Sequence, residues 1–270
     1  MAIITISRQF GSQGTWVAQK LAEVLSYSIL DKEALLPMMT EQGITDIEKY
    51  DEKKPKLWDS IVMDRFMYIH ALQTVIYKFA RNDNCIIVGR GGQFLLGRVP
   101  GILKVSVVAP REVRIQRLQA RLNCSRGEAE MQVRHNDENR QGFHHFFFDI
   151  DCDLPDLYDI VINTAALSVE KAVELIQNAL FAEEIAACRD ATVHKLDDFC
   201  LGQEVMKSIR CKKRISSPYL DASVEDGVVT LNGGVMNWND LDACEHAASE
   251  IPGVKKVVNK INFINPWGIA

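Results

Sequence analysis

The feature that most constrains this chain is a series of short runs that are apolar almost throughout. Residues 2–7, 85–89, 104–108 and 159–163 carry apolar side chains on both faces of an extended chain, not at every second position. An alternating strand buries one face, whereas a continuously apolar strand is covered on both. Segments with helical spacing lie between or after these runs. They are 16–25, with Val17, Leu21 and Leu25 in step, then 112–122 and 169–187. Strands that alternate with helices predict an α/β fold, a mostly parallel sheet with helices on both faces. A length of 270 residues leaves room for about two domains.

The pattern changes after about residue 188. Residues 202–215 read as a helix. Residues 219–225 and 228–231 read as two strands around Asp226-Gly227, a strong signal for a two-residue hairpin. Asn237 is placed to cap a helix running to Glu250, with Asp240 at the capping-box position. Residues 255–263 make a last strand, with Val257, Asn259, Ile261 and Phe263 on one face and Val258, Lys260 and Asn262 on the other. The spacing predicts a small αββαβ unit. The expected organisation is a first domain over 1–187, a linker over 188–201 and a second domain over 202–266. A mixed charge run at 45–56 reads as a solvated loop or as an insert that caps a substrate.

Composition excludes several classes. Lys and Arg total 31 and Asp and Glu 36, a net charge of −5. That argues against a general nucleic-acid binder, which needs a basic excess, and still permits a small anionic ligand. Cys85, Cys124, Cys152, Cys188, Cys200, Cys211 and Cys244 are scattered and odd in number, with no close pairs. Neither a zinc site nor a disulfide framework is expected, and a reducing compartment is. No signal peptide and no stretch able to span a bilayer are read, so a cytoplasmic location is expected.

The first apolar run leads directly into Ser7-Arg8-Gln9-Phe10-Gly11-Ser12-Gln13-Gly14-Thr15 and then a helix. A glycine-bearing loop at this junction is either a phosphate cradle or a plain strand-to-helix turn. Against the frame G-x-x-x-x-G-K-[ST], Arg8 takes the first Gly position, Gly14 the Lys position and Thr15 the hydroxyl position. With the Lys missing, Arg8 either replaces it or pairs with an acid and shapes the loop. Farther on, Arg134, Asp137 and Arg140 are spaced by three. On a helix they form either a phosphate clamp with Asp137 orienting the two arginines, or a surface ion-pair ladder. His135, His144 and His145 read as solvated or packed on aromatic rings more than as a metal site. Arg114, Arg117 and Arg121 lie on one predicted helix, either toward a nucleotide or as a solvated stripe.

Residues 4–12 with Gly14 resemble the opening of the cytidylate kinase-like proteins. The resemblance continues at Leu30-Asp31-Lys32-Glu33, at 86–91 with Gly89-Arg90-Gly91, at 107–114, at 134–140 and at 158–164, and so covers roughly residues 1–185. It implies a P-loop kinase-like sheet, ATP and Mg²⁺ as cofactors, and phosphoryl transfer to a nucleoside monophosphate or a related small phosphate acceptor. Ser7, Arg8, Gly11, Ser12, Gln13, Gly14 and Thr15 are then expected to hold the donor phosphates, and Thr15, by its place in the loop, is the natural hydroxyl for the metal. Asp31 and Arg90 belong to the acceptor site. Arg134, Asp137, Arg140 and Arg8 act in transfer. Asn163-Thr164 edges an adenine pocket. Three departures stand out. Gln13 replaces a typical Gly, Gly91 replaces the Asp that follows Arg90's counterpart in CMP kinases, and Lys32 and Pro37 replace a Ser and an Arg of the acceptor pattern.

Residues 202–264 resemble a BON domain, through Gly227–Gly233 and 251–261. That resemblance implies an unknown small ligand or lipid headgroup as partner, with Arg210, Lys212, Lys213 and Arg214 as a basic cluster or a solvated helix end. The leading expectation is an ATP-dependent kinase-like enzyme with a regulatory binding module. The rivals are a non-catalytic nucleotide sensor with a degenerate loop, and an interaction protein acting mainly through the C-terminal unit.

Overall fold

A computed structural model describes residues 2–45, 58–82, 84–212, 215, 217 and 220–264. Most of the charge run at 45–56, and Lys213 and Arg214 of the basic cluster, lie outside the described residues. The chain divides into two compact units. One comprises 1–58 and 82–192, the other 59–81 and 193–270.

In the first unit the chain runs β1 (Ile3–Arg8), α1 (Gly14–Leu25), β2 (Ser28–Leu30) and α2 (Lys32–Glu41). It resumes with β3 (Cys85–Val88), α4 (Gly92–Leu95), β4 (Ile102–Val108), α5 (Arg111–Leu122), α6 (Arg126–Phe148), β5 (Ile160–Asn163), α7 (Val169–Leu180) and α8 (Glu183–Ala186). The sheet order is β2-β3-β1-β4-β5, and every pairing is parallel. β1 is central, and Ile3, Ile4 and Ile6 are fully buried. Ile4 and Ile6 pack with Val17, Ala18 and Leu21 of α1 and with Val173 and Ile176 of α7. Removing one of these isoleucines to Ala would cost roughly 2–5 kcal/mol. Continuous apolarity thus reports burial on both faces. β2, by contrast, is a three-residue strand that is exposed at Ser28 and buried only at Leu30, and its sequence carries no such signal.

The parallel register brings the carboxyl ends of β1, β3, β4 and β5 to one edge. Arg8 pairs with Val107, Ile6 with Val88, and Val108 with Asn163. Ligands of open α/β sheets bind outside such an edge. The expected helix over 169–187 breaks in two after Leu180.

The second unit contains α3 (Trp58–Arg81, of which 59–81 belong here), most of α9 (Arg189–Lys207), β6 (Asp221–Glu225), β7 (Val228–Val235), α10 (Asn239–Ser249) and β8 (Lys256–Phe263). β6 and β7 are antiparallel, and β7 and β8 are parallel. The expected hairpin is present. Asp226 and Gly227 form its two-residue turn with φ of 53° and 76°, the conformation that primed hairpin turns require. Val205, Met206, Val229, Leu231, Cys244 and Ala247 share its core.

Two local expectations need correction. Residues 189–201 of the expected linker lie within helix α9, and the helix expected over 202–215 is the end of α9 followed by a π-helical turn at Ser208–Lys212. Asn237 does not cap α10. That helix begins two residues later after Trp238, and the Asn237 side-chain oxygen accepts the Asn239 N–H across a local turn. A side chain that satisfies a backbone group two residues on competes with the capping geometry.

α3 joins α9 within this unit. Lys78 Nζ lies 2.6 Å from Glu204 Oε1, Arg81 Nε 2.6 Å from Asp197 Oδ1, and the Tyr77 and Phe199 rings are 4.8 Å apart. Thr74 Oγ1 donates to Gln203 Oε1 at 3.1 Å.

Candidate functional site

β1 ends in Arg8, and the loop that follows wraps back over it. Gln9 N–H donates to Val107 O, Ser12 N–H donates to Gln9 O, and Gln9 Oε1 accepts the Ala109 N–H at 3.2 Å. The loop is thereby pinned to β4. Gln13 sits at its apex with φ of 66°, in the left-handed region, and precedes α1 without a side-chain cap. The first bond of α1 closes at Val17, onto Gln13 O. The amides of Gly14, Thr15 and Trp16 precede it and point out of the helix end, where an anion is favoured.

Gly14 is required by space. A Cβ built there would stand under 3.0 Å from the Arg8 Cβ, closer than real Cβ atoms approach. Position 8 and position 14 therefore cannot both carry side chains in this backbone. The usual loop has glycine first and lysine six residues on. This chain has the arginine first and the glycine six residues on.

The Arg8 guanidinium lies beside Gly89, where a Cβ would also collide with it. Burial, then the charges of Arg90 and Arg140, lower its pKa to about 10, opposed by Asp31. Arg8, Arg90 and Arg140 thus converge on one region, with Asp31 as an opposing charge. Like charges brought together in a crevice mark a place built for an anion. Arg90 follows β3 with φ of 55°, and its Cζ stands 6.0 Å from the Phe143 ring centre. Asp31 Oδ1 accepts the Glu33 and Ala34 N–H groups at 3.1 and 3.0 Å and so caps α2.

The three-spaced set on α6 does not close into one clamp. Arg134 is 64% exposed and lies 4.0 Å from Glu138. Asp137 does not orient Arg134 and Arg140. Both its oxygens accept from Arg114 Nη1 at 2.9 Å. Arg114 is buried and also donates to Ala109 O and Phe10 O. It ties the loop to α5 and α6. Arg140 alone of the three lines the cleft, held by an ion pair to Asp153, which also accepts from Gln141 at 2.8 Å. Its Nε is buried with no hydrogen-bond partner among the described residues. The capping box Ser125/Glu128 starts α6, a signal legible as S-x-x-E in the sequence.

His144 packs against Phe94, Phe143 and Phe148, as the aromatic reading expects. Its Nδ1 lies 2.7 Å from Arg140 O, and burial above all lowers its pKa to about 4. Gly91, with φ of 68°, faces the far end of a side chain. A Cβ there would meet the Phe148 ring under 3.0 Å. No carboxylate fits at that position while Phe148 stays in place.

These parts surround a cleft of about 700 Å³ lined by Arg8, Gly11, Gln13, Gly14, Thr15, Trp16, Arg117, Arg121, Asn136 and Arg140 among others. Ser7 and Ser12 are buried beneath it, and the Ser12 hydroxyl has no partner among the described residues. A second cleft of about 500 Å³ shares Gln13, Trp16 and Arg117 and adds residues 164–170. Arg117 donates to Thr164 Oγ1 at 3.0 Å and to Thr164 O at 2.7 Å, and Thr164 Oγ1 donates to Ser12 O at 2.7 Å. The predicted arginine stripe therefore splits. Arg114 is structural, Arg117 braces the loop after β5, and Arg121 lies 5.8 Å from the Phe10 ring. Asp153 and Trp16 carry no sequence motif, and their places emerge only from the fold.

An anion-sized cradle, a Gly14 that the Arg8 Cβ keeps free of a side chain, and converging arginines fit a polyphosphate and its counter-ion. Among the described residues, no helix is long and apolar enough to cross a membrane.

Comparison with known proteins agrees with this geometry. Residues 3–166 match the cytidylate kinase-like family, and residues 197–265 match the BON domain. A cytidylate kinase of Pyrobaculum islandicum is 27% identical over 181 residues, covering 65% of this chain and 90% of that protein. One from Archaeoglobus fulgidus is 26% identical over 185 residues, covering 67% and 96%. A crystal structure of a protein from Eubacterium ventriosum has the same fold over 66% of this chain and 97% of its own, with a TM-score of 0.53 and 22% identity.

Proposed function

Because the chain belongs to the cytidylate kinase-like family and carries a BON domain, we propose that it transfers a phosphoryl group from ATP. The acceptor is a nucleoside monophosphate or a related small molecule that presents a phosphate. The reading rests on one observation above all, the reciprocal exchange of cation and glycine between positions 8 and 14. Arg8 supplies from β1 the charge that a P-loop lysine supplies from the helix start.

Phosphoryl transfer demands little covalent chemistry. It needs the phosphates held in line and cations where charge spreads over the transferring group. In this proposal the backbone N–H groups from Gly11 to Thr15 hold the donor phosphates. Ser7 and Ser12 shape the floor of that cradle. Arg8 and Arg140 approach the transferring group from β1 and α6. Arg90 binds the acceptor phosphate at the end of β3, and Asp31, at the start of α2, lies on the acceptor side. Thr15 is the hydroxyl in the cleft that would face Mg²⁺, and the ion supplies further neutralisation of the phosphate oxygens when bound. Asp137 acts through Arg114 and Phe10 by fixing the loop. Arg134 is assigned no part in transfer.

Gly91 carries no carboxylate where one follows the arginine in CMP kinases, and the Phe148 ring covers that place. Acceptor choice is therefore set apart from that group, and the class remains nucleoside monophosphates and related acceptors. The C-terminal unit is read as a ligand-responsive module. Arg140→Ala tests the assignment. The expected result is ATP affinity within about threefold of the parent and turnover lower by about 10²–10³, the loss seen when one transition-state charge contact is removed. Equal turnover would remove Arg140 from the mechanism.

A further inference from the structure

Trp16 sits in the first turn of α1, half exposed, and lines both clefts. A tryptophan left open to water exposes a large apolar ring that proteins ordinarily cover. No ring, cation or hydrogen-bond partner is found for Trp16 among the described residues. Its neighbour Phe10 differs, since the Arg121 guanidinium stands 5.8 Å from that ring centre.

Several of the polar groups in the walls of the second cleft are engaged within the protein. The four amides of residues 164–167 are already used. Thr164 N–H bonds Val108 O, Ala165 N–H bonds Asn163 Oδ1, and the Ala166 and Leu167 N–H groups bond Asn163 O. The Arg117 guanidinium is committed to Thr164, and Ser168 Oγ to the Lys171 N–H. Gln13 lines both clefts, but an amide offers a donor and an acceptor together and meets any base edge. What remains distinctive is the face of an indole.

We propose that Trp16 is the stacking platform for the donor's base, and that this site accepts nucleoside triphosphates by stacking rather than by edge recognition. The donor class is then broad, with purine and pyrimidine triphosphates bound with similar affinity. The inference rests on the donor-site reading above and adds to it the residue and the selectivity. Base stacking on an aromatic side chain tolerates every base because each has a π-face, and its removal weakens binding by about tenfold.

The test is calorimetric titration of the full chain with the magnesium complexes of ATP, GTP and CTP and with magnesium tripolyphosphate, which has no base. Parent, Trp16→Ala and Trp16→Phe are compared. The parent should bind the three nucleotides within about tenfold of one another, each more tightly than tripolyphosphate. Trp16→Ala should lose about tenfold on every nucleotide and nothing on tripolyphosphate, and Trp16→Phe should recover most of the loss. Unchanged nucleotide affinity in Trp16→Ala overturns the platform, as does an equal loss on tripolyphosphate. A preference above about a hundredfold for one base overturns the breadth. A parent that binds neither nucleotide nor tripolyphosphate overturns the donor-site reading itself, and the inference falls with it.

Discussion

The exchange between positions 8 and 14 can be tested by reversing it. A Cβ on residue 14 would stand under 3.0 Å from the Arg8 Cβ, whereas ordinary contacts begin at 3.4 Å. Gly14→Lys alone must therefore push the loop or β1 aside. Overpacking of this kind costs roughly 1–3 kcal/mol in stability, and a shift approaching an ångström at a reacting site costs about 10²-fold in rate. Arg8→Gly alone relieves no strain and removes a cation. Its expected loss is about 10²–10³ in kcat, or roughly 3–4 kcal/mol of transition-state stabilisation. The double variant Arg8→Gly/Gly14→Lys removes the contact with the position-8 side chain, leaves only the tight 3.1 Å approach to the Val107 Cβ, and restores a positive charge in the usual loop arrangement. It should exceed Arg8→Gly by at least about tenfold in turnover and regain the melting temperature lost in Gly14→Lys. Residues in contact give such non-additive cycles. The assay is acceptor-dependent ADP release from ATP and Mg²⁺, with thermal unfolding followed in parallel. A Gly14→Lys protein as stable and active as the parent would refute the steric argument. A double variant no better than Arg8→Gly would refute the claim that Arg8 does the work of the missing lysine.

Other consequences follow from the same packing. Arg114→Met leaves the Asp137 carboxylate and the Phe10 and Ala109 carbonyls without their common donor, and urea unfolding should show a loss of about 3 kcal/mol. Gln13→Gly should relieve left-handed strain of about 1–2 kcal/mol and give back about 0.5–1 in chain entropy, for a net gain on the order of 0.5–1 kcal/mol in thermal stability. His144 is held neutral in the fold, with its pKa lowered by burial to about 4 from 6.5. The unfolded chain takes up that proton first, so stability is full above about pH 6.5 and is lost as pH falls toward 4. The slope from this residue reaches about 1.4 kcal/mol per pH unit. Stability curves for His144→Gln should lack one proton's worth of that slope, and an unchanged slope would place the titration elsewhere.

What the sequence discloses follows from the range of the forces involved. Burial on both sheet faces writes itself into most positions of β1, β3 and β4, so the central strands and the parallel sheet are readable. The Asp226-Gly227 turn is equally local, because its two residues alone decide the backbone. β2 is too short to carry a pattern. The length of α3 and its union with α9 depend on partners more than a hundred positions away, as Lys78 with Glu204 illustrates. The loop at residues 7–15 is visible as a glycine-bearing junction, but the reason Gly14 cannot be a lysine is a contact between two Cβ positions. Spacing alone groups Arg134, Asp137 and Arg140. Only tertiary structure assigns Asp137 to Arg114 and Arg140 to Asp153. Trp16 and Asp153 belong to no motif, and their surroundings are assembled from elements distant in sequence.

The central claim is transfer, and its most direct measurement is ADP release from ATP and Mg²⁺ by the full chain with CMP, dCMP, UMP, AMP and GMP supplied one at a time. The account predicts release that depends on at least one of these acceptors and falls by about 10²–10³ in both Arg8→Gly and Arg140→Ala. ATP binding without turnover on any acceptor would contradict it, and would make the cleft a sensor of nucleotide.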